Sequence, residues 1–553
     1  MNALRRPPTA TRLSRRLRRR LTLWMLAGAL SWPAVHAQTL PAYVDLRADQ
    51  TPIRNQGGRR TCITFAAIAA LEAAYKRAGY GGVDLSEQFT NHLGKTFWLH
   101  PYWADIAARG PAGAESQVGA FGGGGGVGYL ALLSNGLRVP SEATMPYFSR
   151  EYTADDFSAF VHPWYDPYWL TQRNQSDFNL DPAFLPLGAL KASRYYTPVG
   201  YKTIDARSAA AIEAALASKH EVVWDFAVAN LGTSDDPVWR SCRTGQAACP
   251  SDSHAMVLVG YDRRSANPRE HYFIAKNSWG DSGVPGSNGF TYISYDYLQY
   301  GIAAAHVDGV KTPATWPELA FVGRWNLDFD GFKGLLDIYH LPGLSKAPWA
   351  YYGVYDTDRR LGTYYDASGQ AFRVNGSVSG SNITFYIDGA NPNAKWDQLG
   401  GRRFSYSMVK TPWGEVMAGT HRDPGGQIVG GYARKQGFLS SGTPAPRPLR
   451  AASYMGADWA ASFNNITGKF RFTSVDVLAS TITTTVLAGT FAQGTVVMPA
   501  RAYVTNADPY AIGMSVPALG YSITGRFHNW EPGVVSGHAS SATSYTGFVM
   551  YRQ

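Results

Sequence analysis

A cysteine attacks a carbonyl as its thiolate. A catalytic cysteine therefore needs a base, a group that holds the base, and donors for the oxyanion its attack creates. Three short segments offer a candidate for each part. Cys62 ends Gln56-Gly57-Gly58-Arg59-Arg60-Thr61-Cys62, just before a predicted helix. The unpaired N–H groups of a helix start favour a negative charge there. His254 opens the apolar run Ala255–Tyr261, and Asn277 heads Asn277-Ser278-Trp279-Gly280. Taken alone, a cysteine at a helix start is more often a buried structural thiol. Other chemistries have less support. No two of the twelve histidines stand at metal-ligand spacing. Asp328-Phe329-Asp330-Gly331 lacks the later positions of a calcium loop, and no Lys-Ser/Thr follows Gly122–Gly126 as a phosphate loop requires. No metal or cofactor is expected.

The three segments, in this order, resemble the papain family of cysteine peptidases. Leu85-Ser86-Glu87-Gln88 and the stretch Pro140–Tyr147 add to the likeness, which covers about residues 40–308. The resemblance implies Cys62 as nucleophile and His254 as base. It further implies Asn277 as the amide orienting the imidazole, Trp279 as the indole covering it, and Gln56 as oxyanion donor. Cys62 and His254 are expected to pair as thiolate and imidazolium. Gly125 and Gly126 are expected to let a substrate backbone lie along the cleft. Some positions depart from the family pattern. Arg59-Arg60-Thr61 replaces the usual disulfide cysteine and its neighbours, and Ile63 stands where a Trp is common. The chain reaches Pro41-Ala42-Tyr43 so soon after Ala37 that no inhibitory propeptide is expected. The two arginines read as a solvated turn, with favouring of the thiolate or of acidic substrates as the alternative. Trp224 reads either as a border of the specificity pocket or as ordinary core.

The elements that must position these groups are legible from periodicity. Phe65, Ile68, Leu71 and Tyr75 recur at helical steps within an alanine-rich Thr64–Ala78. A second helix is expected near Ala209–Ala217. Strands are expected at Glu221–Trp224, Ala255–Tyr261 and Tyr272–Lys276, and long loops over 100–195. Beyond Pro313–Pro317 the pattern turns to β-branched alternation punctuated by glycine, the mark of an antiparallel meander, sandwich or barrel. Pro444-Ala445-Pro446-Arg447-Pro448 divides that region. Its halves share glycine-rich aromatic endings, Gly431–Arg434 and Gly547–Arg552, as a degenerate repeat would. The fold class expected is α+β: a two-lobed papain-like domain, helical lobe plus antiparallel β lobe, followed by an all-β region. The expected boundaries are 1–37 signal peptide, 38–313 peptidase, 314–443 and 444–553 β-rich.

Charge and cysteine usage set the compartment. Eight arginines between Arg5 and Arg20, with no acid among them, precede the apolar Leu21–Trp32 and a Val35-His36-Ala37 cleavage pattern. Removing them lowers the formal net charge from +10 to +2, which undoes the nucleic-acid reading of a pI of 9.3. An exported protein, periplasmic or extracellular and without a membrane span after cleavage, is expected. Of the three cysteines, Cys242 and Cys249 can close a small disulfide loop in an oxidising compartment, leaving Cys62 free. Expected partners are protein or peptide substrates, and a cell-surface or polysaccharide ligand or partner protein for the C-terminal region. Two other readings use the same residues: a catalytically silent adhesion protein, and an acyltransferase.

Overall fold

The computed structural model describes residues 40–98, 125–147, 185–233, 236–247, 249–280, 288–329, 332–338, 360–366, 371–387, 402–411, 414–422, 428–435, 451–505, 507, 511–527 and 533–553. The expected export segment, Gly122–Gly124 and most of 100–195 lie outside these residues.

The first helix, α1 (Cys62–Tyr75), begins at the candidate nucleophile. Its Ile68, Leu71 and Tyr75 are buried, as the spacing predicts, together with Leu85, Phe89 and Leu93 around α2 (Glu87–Trp98) and Leu130 and Leu133 of α3 (Gly125–Ser134). A fourth helix, α4 (Ala209–Ala217), matches its expected span and is capped by Ser208, whose hydroxyl accepts from the Ala211 N–H.

Eight strands complete this half. They are β1 (Tyr43–Asp45), β2 (Pro198–Ile204), β3 (Val222–Val228), β4 (Val238–Trp239), β5 (Asp252–Asp262), β6 (Tyr272–Lys276), β7 (Phe290–Ser294) and β8 (Gly301–Val310). Their order is β2-β8-β3-β5-β6-β7-β4, with β1 on β5. All pairs are antiparallel except the short β4–β7 pair. The strands buried on both faces, β3 and β5, carry continuous apolar runs instead of alternation. One core joins helices and sheet, so the α+β expectation holds.

The C-terminal half resolves the alternatives of barrel and sandwich in favour of two barrels. The first contains β9 (Gly323–Phe329), β10 (Phe332–Ile338), β11 (Arg360–Asp366), β12 (Ala371–Ser379), β13 (Asn382–Ile387), β14 (Arg402–Thr411), β15 (Gly414–Arg422) and β16 (Ile428–Lys435). Each strand pairs with the next, and β16 closes on β9. The second repeats the plan with β17 (Asp458–Phe463), β18 (Ile466–Val475), β19 (Thr484–Gln493), β20 (Val496–Thr505), β21 (Ala511–Val516), β22 (Tyr521–Phe527), β23 (Val534–Ser540) and β24 (Tyr545–Arg552). The two glycine-rich endings noted in the sequence are thus the two closing strands. The turn in the second barrel's opening hairpin is Asn464-Asn465, both at positive φ, and Ile466-Thr467-Gly468 is already strand.

An eight-stranded barrel is just wide enough to be filled by its own side chains. Trp325, Phe329, Phe385, Phe404 and Tyr406 fill the first, and Trp459, Phe463, Phe470, Phe491 and Phe548 the second. The barrels touch wall to wall through Val409, Val416, Ala418, Tyr432, Val534 and Val549. Gly547 is required there, because a Cβ would lie 1.8 Å from the Ala418 carbonyl oxygen. The first barrel is fastened to the helix–sheet domain by the Gly380 N–H on Glu318 Oε1 at 3.1 Å and by Lys191 against Glu415 at 3.7 Å.

Candidate active site

The sheet register places the base on a strand that packs against the helix carrying the candidate nucleophile. His254 is the third residue of β5 and lies opposite Phe226 of β3, and the next pair is Ala255 with Asp225. The Ala255 and Ile63 N–H groups hydrogen-bond the Cys62 sulfur, so the strand that carries the imidazole touches the helix that carries the thiol. Asn277 follows β6, the neighbour of β5. Its Oδ1 accepts from His254 Nε2 at 2.9 Å and from the Ser278 N–H at 2.8 Å, while its Nδ2 donates to Thr291 Oγ1 at 3.3 Å. An amide oxygen carries no proton, so Nε2 is the protonated ring nitrogen and Nδ1 is the basic one. Trp279 stacks on the imidazole with centroids 4.7 Å apart and planes 30° from parallel, and Phe226 meets it edge-on at 5.8 Å.

Gln56 is held from both ends. Its Oε1 accepts from Ser278 Oγ at 2.6 Å, and its Nε2 donates to the Arg59 carbonyl at 2.8 Å. Backbone bonds from Gln56 N–H to Ser278 O (2.8 Å) and from Gly280 N–H to Arg54 O (3.0 Å) bind this loop to the Asn277 segment. The loop before the nucleophile is therefore pinned to the segment that orients the base.

His254 is buried and Cys62 is partly buried. Burial pushes the Cys62 thiol up to about 11, with the Asp225 and Asp252 charges acting in the same direction against its two N–H donors. Burial pushes His254 down to about 4, against the Asn277 bond and the Asp252 charge. Each group by itself thus favours its neutral form at pH 7, whereas the sequence led us to expect a thiolate–imidazolium pair.

The remaining expected residues divide. Arg59 is not solvated: it is buried, its Nη1 donates to Gln88 Oε1 at 2.6 Å, and its guanidinium lies 4.9 Å over the Tyr147 ring. Arg60 is exposed. Trp224 is core, stacked on Phe226 at 4.3 Å with its Nε1 donating to the Ala206 carbonyl at 2.9 Å. Gly125 and Gly126 begin α3 beside the site, but the Gly126 N–H is occupied by Asp225 Oδ1 at 2.7 Å and the Val127 N–H by Asp225 Oδ2 at 3.1 Å. Cys242 and Cys249 form a disulfide, and Cys62 is the free cysteine. Among the described residues no group of His, Cys, Asp and Glu could hold a metal ion, and no helix is long and apolar enough to cross a membrane.

Three supporting residues escaped the sequence reading. Thr291 fixes the Asn277 amide. Tyr147 bridges Thr61 Oγ1 (2.8 Å) and the Gln56 carbonyl (2.9 Å). Asp225 carried the one available signal, an acid inside the apolar run Val222-Val223-Trp224-Asp225-Phe226. Behind the site, Lys276 Nζ donates to Thr51 O (2.8 Å) and Thr51 Oγ1 (2.9 Å), and Thr51 in turn donates to the buried Glu72. This chain ties the residue before Asn277 to α1.

Residues 165–310 match the family described as papain family cysteine protease. Thiol protease aleurain of Arabidopsis thaliana is 27% identical over 285 residues, 51% of this chain and 61% of that protein. Cathepsin J of Mus musculus is 26% identical over 287 residues, 49% of this chain and 66% of its own length. The chain thus spans less than two thirds of the length of each. Among solved structures, the clostridial cysteine protease Cwp84 matches at 19% identity and a TM-score of 0.31, over 51% of this chain and 63% of that one. A cysteine protease of Carica candamarcensis in complex with E-64 matches at 17% and 0.29, over 49% and 100%.

Proposed function

From the premise that part of this chain is a papain-family cysteine peptidase domain, to which a further C-terminal region is joined, we propose that it hydrolyses peptide bonds with Cys62, His254, Asn277 and Gln56. The observation that carries this reading is the His254 Nε2–Asn277 Oδ1 bond of 2.9 Å, which leaves Nδ1 as the free basic nitrogen on a strand whose next N–H meets the Cys62 sulfur. His254 Nδ1 takes the thiol proton as sulfur attacks the substrate carbonyl. The proton moves in the attack itself, since isolated charges are disfavoured in this buried site. The second N–H of the Gln56 amide and the Cys62 backbone N–H steady the oxyanion. Imidazolium then protonates the leaving amine. Water, deprotonated by His254, releases the acyl group and restores the thiol.

The protein works outside the cytoplasm on this reading. The Cys242–Cys249 disulfide and the arginine-rich, then apolar, first 37 residues support that placement. Because the described interiors of both barrels are packed with side chains, a cell-surface or polysaccharide ligand of this region would sit on outer walls or loops. The test compares the full chain with Cys62→Ala on a denatured protein substrate. Cleavage is expected from the first alone, and equal cleavage by both ends the assignment.

A further inference from the structure

Asp225 is out of place by its chemistry. A carboxylate in the middle of an apolar central strand costs several kcal/mol unless its oxygens are satisfied. Here they are satisfied by another element: Oδ1 accepts from the Gly126 N–H at 2.7 Å and Oδ2 from the Val127 N–H at 3.1 Å. These are free donors of the first turn of α3, where an anion is favoured. The junction admits nothing larger. Gly125 sits at φ +75°, and a Cβ on it would lie 2.6 Å from Asp225 Oδ2. A Cβ on Gly126 would lie 2.7 Å from Val223 Cγ1, 3.1 Å from Asp225 Oδ1 and 3.4 Å from the Ile63 carbonyl oxygen. Gly126 is therefore wedged between the strand that carries Asp225 and the residue after the nucleophile. On the other side, Asp225 lies opposite Ala255, whose N–H meets the Cys62 sulfur.

We propose that Asp225 is a positioning residue for Cys62: its carboxylate bolts strand β3 to the start of α3, and its charge sets the field at the sulfur. This rests on the peptidase reading above. The bolt ties the helices that present the thiol to the sheet that presents the imidazole, so the spacing of the two reacting groups depends on it. The charge opposes thiolate formation, which keeps the thiol protonated until His254 takes its proton. Of the titratable groups, Cys62 at the start of α1 feels its charge; Asp252 on β5 acts on Cys62 and on His254, whose ring lies against Phe226, the residue after Asp225. No titratable side chain of β8 stands opposite it, its partner there being Ala303.

The test uses the full chain and its Asp225→Asn and Asp225→Ala variants. Iodoacetamide alkylation of Cys62, the one free cysteine, is followed by mass from about pH 5 to about pH 9. KM and kcat are measured alongside. Asparagine keeps an acceptor for Gly126 and drops the charge. Alkylation at neutral pH should quicken about threefold or more, with KM within about twofold. Alanine removes the bolt as well, and kcat should fall about tenfold while alkylation again quickens. A folded Asp225→Ala with the parent's kcat and alkylation profile overturns the proposal. Should that variant not fold, an unchanged alkylation profile in Asp225→Asn overturns it. Alkylation needs no turnover, so the outcome stays distinct from failure of the peptidase reading, which Cys62→Ala decides.

Discussion

The helix–sheet domain and the second barrel solve burial in different ways. Both barrels bury rings: Phe385 stacks on Phe404 at 4.5 Å in the first, which also buries Asp328, Asp337, His421 and Lys435, and Phe463, Phe470 and Phe491 interlock in the second. The helix–sheet domain buries groups that titrate. Glu72, Asp225, His254 and Lys276 are all nearly inaccessible, each held by side chains or backbone from distant parts of the chain. Aromatic interiors supply apolar area and need few partners. Buried titratable groups are costly without partners, and in the helix–sheet domain several lie around the candidate nucleophile. The contrast separates a region that gathers buried ionisable groups from one that buries rings.

His254→Ala attacks the first half of that contrast most sharply. It should lower kcat/KM by about 10⁴, while the thermal unfolding of the barrels stays where it was. A parallel loss of barrel stability would show that the two halves are not separable. Gln56→Ala comes next, with an expected loss of about 10²–10³ in kcat, measured on the same substrate. Gly547→Val probes the other half. Its side chain would be driven into the Ala418 carbonyl, and a destabilisation of about 1–3 kcal/mol should appear in denaturant unfolding, with Cys62 alkylation unchanged.

The smallest effect concerns pH. Burial is the main cause lifting the Glu142 carboxyl from its ordinary 4.5 to about 7, although it accepts from the Tyr147 N–H at 2.6 Å. Folding therefore retains a proton that the unfolded chain gives up. That stability is fully present below about pH 4.5 and is lost as pH rises through about 7. Glu142→Gln cannot lose a proton, so wild-type stability relative to the variant should fall by about 1–2 kcal/mol between pH 5 and pH 8. A pH-independent difference would contradict the assignment. His254 works the opposite way. Its lowered pKa makes the unfolded chain the better proton binder between about 4 and 6.5, so this group costs stability as the solution is acidified through that window.

Much of this was legible in advance, for identifiable reasons. The helix after Cys62 and the strand Tyr272–Lys276 follow from apolar spacing alone. Asn277 stands beside His254 because adjacent strands of one sheet carry them, and the motif order already implied it. The barrels showed themselves as a meander, yet closure depends on β16 finding β9 and β24 finding β17, pairings across about a hundred residues that no local pattern encodes. The partners of Asp225, Arg59 and Tyr147 are tertiary in the same sense. Protonation was the least accessible of all: the helix start argues for a thiolate, and burial, which acts against it, is a tertiary property.

The central claim, that His254 activates Cys62 in a site built to accept a peptide, is met most directly by labelling with a peptidyl epoxide followed by intact mass. The account predicts one adduct, on Cys62, absent in Cys62→Ala and slowed at least about a hundredfold in His254→Ala. No adduct, or labelling at the same rate without the imidazole, would contradict it.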